Sequence, residues 1–317
     1  MDIRSKEEKS LLLMGDHPLV YSIAVCLLHA DHHVHICTSD QDKANMMIRD
    51  HFSEMSISDN TNNDYRDKLV FTDPQLPAGE FESAIILAEE DLAVKKKFIQ
   101  RLEEIVAKET VIAINFESFD LSEIQEDARQ PARIIGLNWT EPAHTTRFLE
   151  IIKNEVVPKE LADQFLSLAK TWNKDPYIVD NYSIRSRLMS AMVREAFYLV
   201  DQGYASIEDI DRACRNDPGY YLPFAGNCRY MDLMGTYAYG VVMKSLNPEL
   251  SNEQKLPDFF VEIVERGGRG MENEKGLYRY TLEEVELWKK ISREFSYKIA
   301  MIINRYPFRY AESANPE

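Results

Sequence analysis

The feature that most constrains the fold is the run Ser10-Leu11-Leu12-Leu13-Met14, closed by Gly15 and followed at once by Pro18. A short apolar run ending at a glycine reads as a buried strand. A proline just beyond it suits the first turn of a helix, where its missing N–H would have no partner anyway. The apolar segment 19–30 supplies that helix. The alternation then continues, with a strand over 33–38, a helix over 41–52, and β-rich runs at 68–71, 83–87, 110–115 and 134–139. Between two of these lies 91–108, where Leu92, Phe98, Leu102 and Ile105 recur at helical spacing. Strands alternating with helices predict a parallel-rich sheet covered on both faces, a Rossmann-like α/β domain. The polar, Asn/Asp-rich stretch 56–66 reads as a surface loop.

From about residue 180 the pattern changes. A long amphipathic helix is predicted over 184–199, and Ser206 with Asp209 three residues later opens another that ends near Cys214. Helical runs follow at 229–246, 256–265 and 281–304, and strand signals nearly vanish. The expectation is a Rossmann-like NAD(P)-binding-type domain over 1–180 and an all-α substrate or dimerisation domain over 181–317.

The formal net charge of −16 sets the partners. A strong negative field disfavours nucleic acid and anionic membranes, and an anionic ligand would need local positive charge. Cys26, Cys37, Cys214 and Cys228 lack CxxC spacing and read as reduced thiols. The first ten residues are polar, and the longest apolar runs are too short to span a bilayer. A cytoplasmic protein is expected.

The strand–glycine–helix start is the geometry of dinucleotide binding, whose full motif is GxGxxG. Here it reads Gly15-Asp16-His17-Pro18-Leu19-Val20, with only the first glycine present. His17 stands where the backbone would approach the pyrophosphate, Val20 where helix and strand pack closely, and Asp16 adds negative charge. The helix start still offers N–H groups and a positive dipole end. Asp40 lies near the end of the second strand, where an acid would hold a ribose. Two readings stand: an altered nucleotide site, or a structural turn with no nucleotide.

The stretch 89–152, with Glu90, Lys95, Asn115, Gly136-Leu137-Asn138-Trp139, Glu141-Pro142 and Phe148-Leu149-Glu150, resembles the core of the 3-hydroxyacyl-CoA dehydrogenases. Ser186-Arg187-Leu188-Met189, the segment 203–214 and Lys275-Gly276-Leu277-Tyr278 resemble its helical half in the same order. The resemblance implies a cofactor, NAD or NADP, and an acyl-CoA or hydroxy-acid substrate. It also implies a homodimer. The family pairs a histidine with a glutamate: the imidazole takes the hydroxyl proton and the glutamate orients it. By resemblance the glutamate is Glu150, but the histidine position holds Asn138. The catalytic serine position holds Glu117, with Ser118 beside it, and the helix asparagine is Ser186. Gly15, His17, Asp40, Glu90, Lys95, Asn115 and Glu141 fall on cofactor-side positions.

A carboxamide nitrogen is not basic near neutral pH, so the ordinary reaction is expected to be altered or impaired. The alternative is a silent relative that binds an acyl or nucleotide ligand or a protein partner. His144 is weighed as a relocated base, and Glu117 or Glu141 as a carboxylate base if burial raises the pKa. His29, His32, His33 and His35 read as surface or strand histidines, and no metal ligand is assigned. Lys95 to Lys97 read either as positive charge for a phosphate or as a solvated helix face, and Arg266 and Arg269 either resemble the family's basic glycine loop near the active cleft or sit in a flexible loop between helices. The aromatic run Tyr220 to Phe224 reads as core or dimer contact, and the resemblance implies a lining of the acyl pocket.

Overall fold

The computed structural model describes residues 10–59, 65–72 and 80–306. Two compact units divide it, Met1–Ser186 and Arg187–Glu317.

The first unit is built on eight strands in the order β3-β2-β1-β4-β5-β6-β7-β8. The elements run β1 (Ser10–Met14), α1 (Pro18–His29), β2 (Val34–Cys37), α2 (Gln41–Asp59), β3 (Leu69–Phe71), β4 (Phe81–Ile86), α3 (Leu92–Ile105), β5 (Val111–Ile114), α4 (Leu121–Gln125), β6 (Ile134–Trp139), β7 (Leu149–Lys153), α5 (Lys159–Lys170) and β8 (Tyr177–Asp180). The strands β1 to β6 pair in parallel. β7 runs antiparallel to β6, and β8 pairs in parallel with β7. The buried strand residues are almost wholly aliphatic: Leu11, Leu13, Ile36, Ile86, Ile112 and Ile134 are shielded from solvent. That is the composition of a sheet covered on both faces.

The α/β expectation is met, with local corrections. α2 runs through Asp59, so the first part of the expected 56–66 loop is helical, and 60–64 lies outside the described residues. β7, α4 and α5 were not anticipated. β7 follows a turn after β6, where the Leu-Glu-Ile-Ile run gives a short buried strand without its own punctuation.

The second unit is helical: α6 (Ile184–Asp201), α7 (Ile207–Asn216), α8 (Pro218–Met234), α9 (Thr236–Leu246), α10 (Asp258–Glu265) and α11 (Leu282–Arg305). Ser206 and Asp209 form the reciprocal cap foreseen at the start of α7. The single helix expected at 229–246 is two helices, broken at Gly235, whose φ of +110° a side-chain-bearing residue rarely adopts. The Tyr220 to Phe224 run lies inside α8. Among α6, α7, α9 and α10 no described residue is fully buried. No described helix is long and apolar enough to cross a membrane.

Candidate functional site

The strand order reverses between β1 and β4, so a crevice opens at the carboxyl ends of these strands. Open α/β sheets bind their ligands there. Every residue assembled below lies in the first unit.

At the β1–α1 turn Gly15 has φ +139°, and a Cβ there would stand 2.4 Å from the Leu87 carbonyl oxygen. Only glycine fits this turn. Asp16 does not face an anion. Its carboxylate accepts from the Ser39 N–H at 2.7 Å and the Thr38 hydroxyl at 2.7 Å, latching the turn to the end of β2. Burial pushes its pKa up, but these bonds and Lys43 outweigh that and hold it below the ordinary value. His17 caps α1 with its own ring: Nδ1 accepts the Leu19 N–H at 3.1 Å. The next N–H, of Val20, goes to the His17 carbonyl, and Pro18 has none. The first-turn donors that a pyrophosphate would use are thus satisfied from within. Glu141 lies 3.7 Å from the same His17 nitrogen and adds negative charge at this corner. Asp40 caps α2, accepting the Lys43 N–H at 2.9 Å, so its role in the structure is at a helix start.

The cofactor-side residues of β4 and β5 interlock. Lys95 is fully buried in α3, and its ammonium donates to the carbonyls of Ala88 (3.2 Å) and Asn115 (2.8 Å) and pairs with Glu90 at 3.1 Å. An ammonium has three protons, and all three are engaged. Burial lowers its pKa against the pull of Glu90. One Glu90 oxygen accepts from the Glu117 N–H, the Ser118 N–H and the Ser118 hydroxyl, each at 2.8 Å. These donors and Lys95 overcome the effect of burial and lower the Glu90 pKa. Asn115 bridges to Ala88, accepting its N–H at 2.9 Å.

Behind this layer, Asn138 on β6 and Glu150 on β7 are directly opposite in the antiparallel pair. Both are buried. The Asn138 carbonyl oxygen accepts the Phe116 N–H at 3.0 Å, and its amide donates to the Phe116 carbonyl at 2.7 Å and to Glu150 at 3.4 Å. Gly136 makes room for Phe116, since a Cβ there would come within 2.5 Å of that ring. Glu150 accepts the Ile184 N–H at 2.9 Å, the Arg185 N–H at 3.3 Å and the Tyr177 hydroxyl at 3.1 Å. It therefore caps the start of α6, where unpaired N–H groups favour a carboxylate. Burial first, then the Glu150 charge, pushes the Tyr177 phenol up.

Glu117 is the carboxylate left at the surface of this cluster. It pairs with Arg185 at 2.7 Å and accepts the Ser186 hydroxyl. The Ser183 hydroxyl lies 2.8 Å from the same Ser186 oxygen, which accepts its proton. Burial, with Glu90 and Glu150 near, raises the Glu117 pKa against the pull of Arg185. The Arg185 guanidinium lies 5.8 Å from the Phe148 ring centre. The structure brings Glu90, Lys95, Asn115, Glu117, Ser118, Asn138, Glu150 and Ser186 into one network, and puts Gly15, His17 and Glu141 at a second corner. Arg185 and Tyr177 were not foreseen. Arg185 adjoins Ser186, so the helix position next to a site residue was the available signal. His144 lies elsewhere, packed against His51. Burial first, then His51 and Lys174, pushes its pKa down to about 3.

The pattern of the 3-hydroxyacyl-CoA dehydrogenase NAD binding domain matches residues 14–182, and that of the family's C-terminal domain matches 184–280. The chain belongs to this family. It is 23% identical over 200 residues to the 5-formyl-3-hydroxy-2-methylpyridine 4-carboxylate 5-dehydrogenase of Mesorhizobium japonicum, covering 62% of this chain and 65% of that one. It is 28% identical over 204 residues to the fatty acid oxidation complex subunit alpha of Vibrio parahaemolyticus, spanning 64% of this chain and 28% of the relative. The crystal structure of an NAD+-dependent 5-formyl-3-hydroxy-2-methylpyridine 4-carboxylic acid 5-dehydrogenase superposes with a TM-score of 0.85 at 18% identity, over 93% of this chain and 98% of that one. That likeness speaks to the fold. For a dinucleotide, the crevice and the Gly15 turn fit. The self-capped α1 start leaves fewer N–H groups open to a phosphate than an uncapped helix start would.

Proposed function

We propose that this family member is an oxidoreductase using NAD or NADP on a hydroxyacyl-CoA or related hydroxy acid, with Glu117 handling the proton. The observation that carries the reading is the inversion at the site. The imidazole position holds an amide fixed to Phe116, while a carboxylate with a raised pKa stands at the crevice on Arg185 and Ser186. A raised carboxylate pKa makes a better proton acceptor near neutral pH. In this reading the substrate hydroxyl gives its proton to Glu117 as the carbinol carbon becomes a carbonyl. A bound nicotinamide supplies the hydride acceptor. Ser186 and Arg185 orient the carboxylate, and the remaining guanidinium N–H groups are available to an acyl oxygen. Glu150 serves as a positioning residue through α6, not as the partner of a base. Glu90, Lys95, Asn115, Ser118 and Gly15 shape the crevice.

The silent-relative reading is favoured by the His17 self-cap, which removes phosphate donors. Titration with NAD(H) and NADP(H), followed by thermal shift, separates the two. A ligand at a hundredfold its Kd stabilises by about 2.7 kcal/mol. Stabilisation, followed by a change at the nicotinamide absorbance band with hydroxyacyl-CoA esters, supports the oxidoreductase. No stabilisation at millimolar cofactor removes it.

We also propose the functional division at residues 180 and 181, a cytoplasmic setting for the four free thiols, and a homodimer. The helical unit supports the dimer. Many large apolar residues of that unit are exposed, Tyr220, Tyr237, Leu282 and Phe295 among them.

A further inference from the structure

We propose that His51, Glu54 and His144 form a zinc-class divalent metal site that ties α2 to the turn after β6. The three residues each present a ligand atom, and these atoms all lie within 4.8 Å of one another. Ligands about 2.0–2.1 Å from a tetrahedral zinc sit roughly 3.4 Å apart. Closing the cluster on an ion thus needs shifts of about an ångström, within the reach of side-chain rotation.

Local structure produces the convergence. His51 and Glu54 are three residues apart on α2, so they share one helix face. His144 comes from the short helical turn Ala143–Thr145, which follows the cis Glu141–Pro142 bond. Helix α1 packs against both α2 and this turn, holding the two ligand sources on one side of the sheet. The two imidazole planes are tilted by 45° with centres 4.5 Å apart, so they converge without stacking face to face.

The chemistry suits a borderline divalent ion. Two imidazoles and one carboxylate are a familiar donor set for zinc and its neighbours, with water free to fill a fourth position. A metal ligand must be unprotonated, a state that neutral imidazole and a carboxylate both offer. The net charge of −16 attracts cations. The opposing feature is Lys174, whose ammonium donates to the carbonyls of Ala143 and Thr146 beside the cluster. The site is separate from the Glu117 network and does not depend on the proposed reaction. The histidine run His29 to His35 is not part of it: His35 is engaged with Thr72, and His32 with Trp172.

The test is equilibrium dialysis of the chelator-stripped full chain against zinc alone, with bound metal counted by mass spectrometry and cobalt(II) absorption as a second readout. Wild type is expected to hold about one zinc per chain, with a cobalt spectrum free of thiolate charge-transfer bands. His51→Ala and Glu54→Ala are each expected to weaken zinc by more than about tenfold and to abolish the zinc-dependent rise in Tm. The double variant His29→Ala/His33→Ala is expected to bind as wild type does. Far-UV circular dichroism checks folding, and the two α2 variants decide the matter even where His144→Ala does not fold. No zinc on wild type, full retention by both α2 variants, loss in the His29/His33 control or thiolate bands with cobalt would each overturn the proposal.

Discussion

Asn138 and Glu150 face each other across the antiparallel β6–β7 pair, and the 3.4 Å contact between them is the weakest bond either one makes. Each is held harder by another element, Asn138 by the Phe116 backbone and Glu150 by the start of α6. The two therefore act on stability through different partners. Asn138→Leu strands the buried N–H and C=O of Phe116 and is expected to cost about 2–4 kcal/mol. Glu150→Ala removes the cap of α6 and is expected to cost about 2–3 kcal/mol. Urea unfolding measures both, and a loss under about 0.5 kcal/mol in either would show that these bonds do not bear on stability.

Activity carried by Glu117 rises with pH as the carboxylate loses its proton. Its pKa is raised, so the inflection in kcat/KM is expected above the ordinary glutamate value. Glu117→Gln is expected to lower turnover by about 100-fold or more and to erase that limb. A variant that keeps both the rate and the limb assigns the proton to another group.

The His17 ring and a phosphate compete for the same donors. Freeing the Leu19 N–H by His17→Gly is expected to tighten NAD(H) by about 5–10-fold, the worth of one hydrogen bond. Fluorescence titration reads this, and unchanged affinity would mean that the ring is not what limits binding.

His144 has a folded pKa of about 3 against an ordinary 6.5. A base whose pKa is depressed by folding contributes stability that is present above the unfolded value and is lost as pH falls toward the folded one. In the chelator-stripped protein, unfolding free energy is therefore expected to decline as pH falls from about 6.5 toward 3. His144→Gln, which cannot titrate there, is expected to flatten the slope by about one proton between those limits. A slope identical to wild type would place the protonation elsewhere.

Sedimentation velocity tests the assembly. A dimer is expected at micromolar concentration, and Tyr237→Glu with Phe295→Glu is expected to give monomer. A monomeric wild type would leave the exposed apolar residues of the helical unit to some other partner.

The α/β core was readable because burial on both faces writes aliphatic runs into the strands, and Ser206 with Asp209 announced α7 by its cap. β7 and α4 were not readable, because each is a short segment whose place is fixed by its neighbours in the sheet. At the site, the identities were legible by resemblance but the bonding was not. Nothing in the order of residues says that Glu90 spends one oxygen on Glu117 and Ser118, or that Glu150 caps α6. The His51, Glu54 and His144 cluster joins residues 90 positions apart, which only the packing of α1 against both segments brings together.

Lys95 has a consequence for how relatives of this chain are to be understood. A lysine whose every proton fastens two strand ends and a glutamate would stay under selection in a lineage that had given up its nucleotide, because the sheet would still need it. Its presence therefore reports on architecture. Evidence for dinucleotide use has to come from binding itself, at the α1 start whose donors His17 now caps.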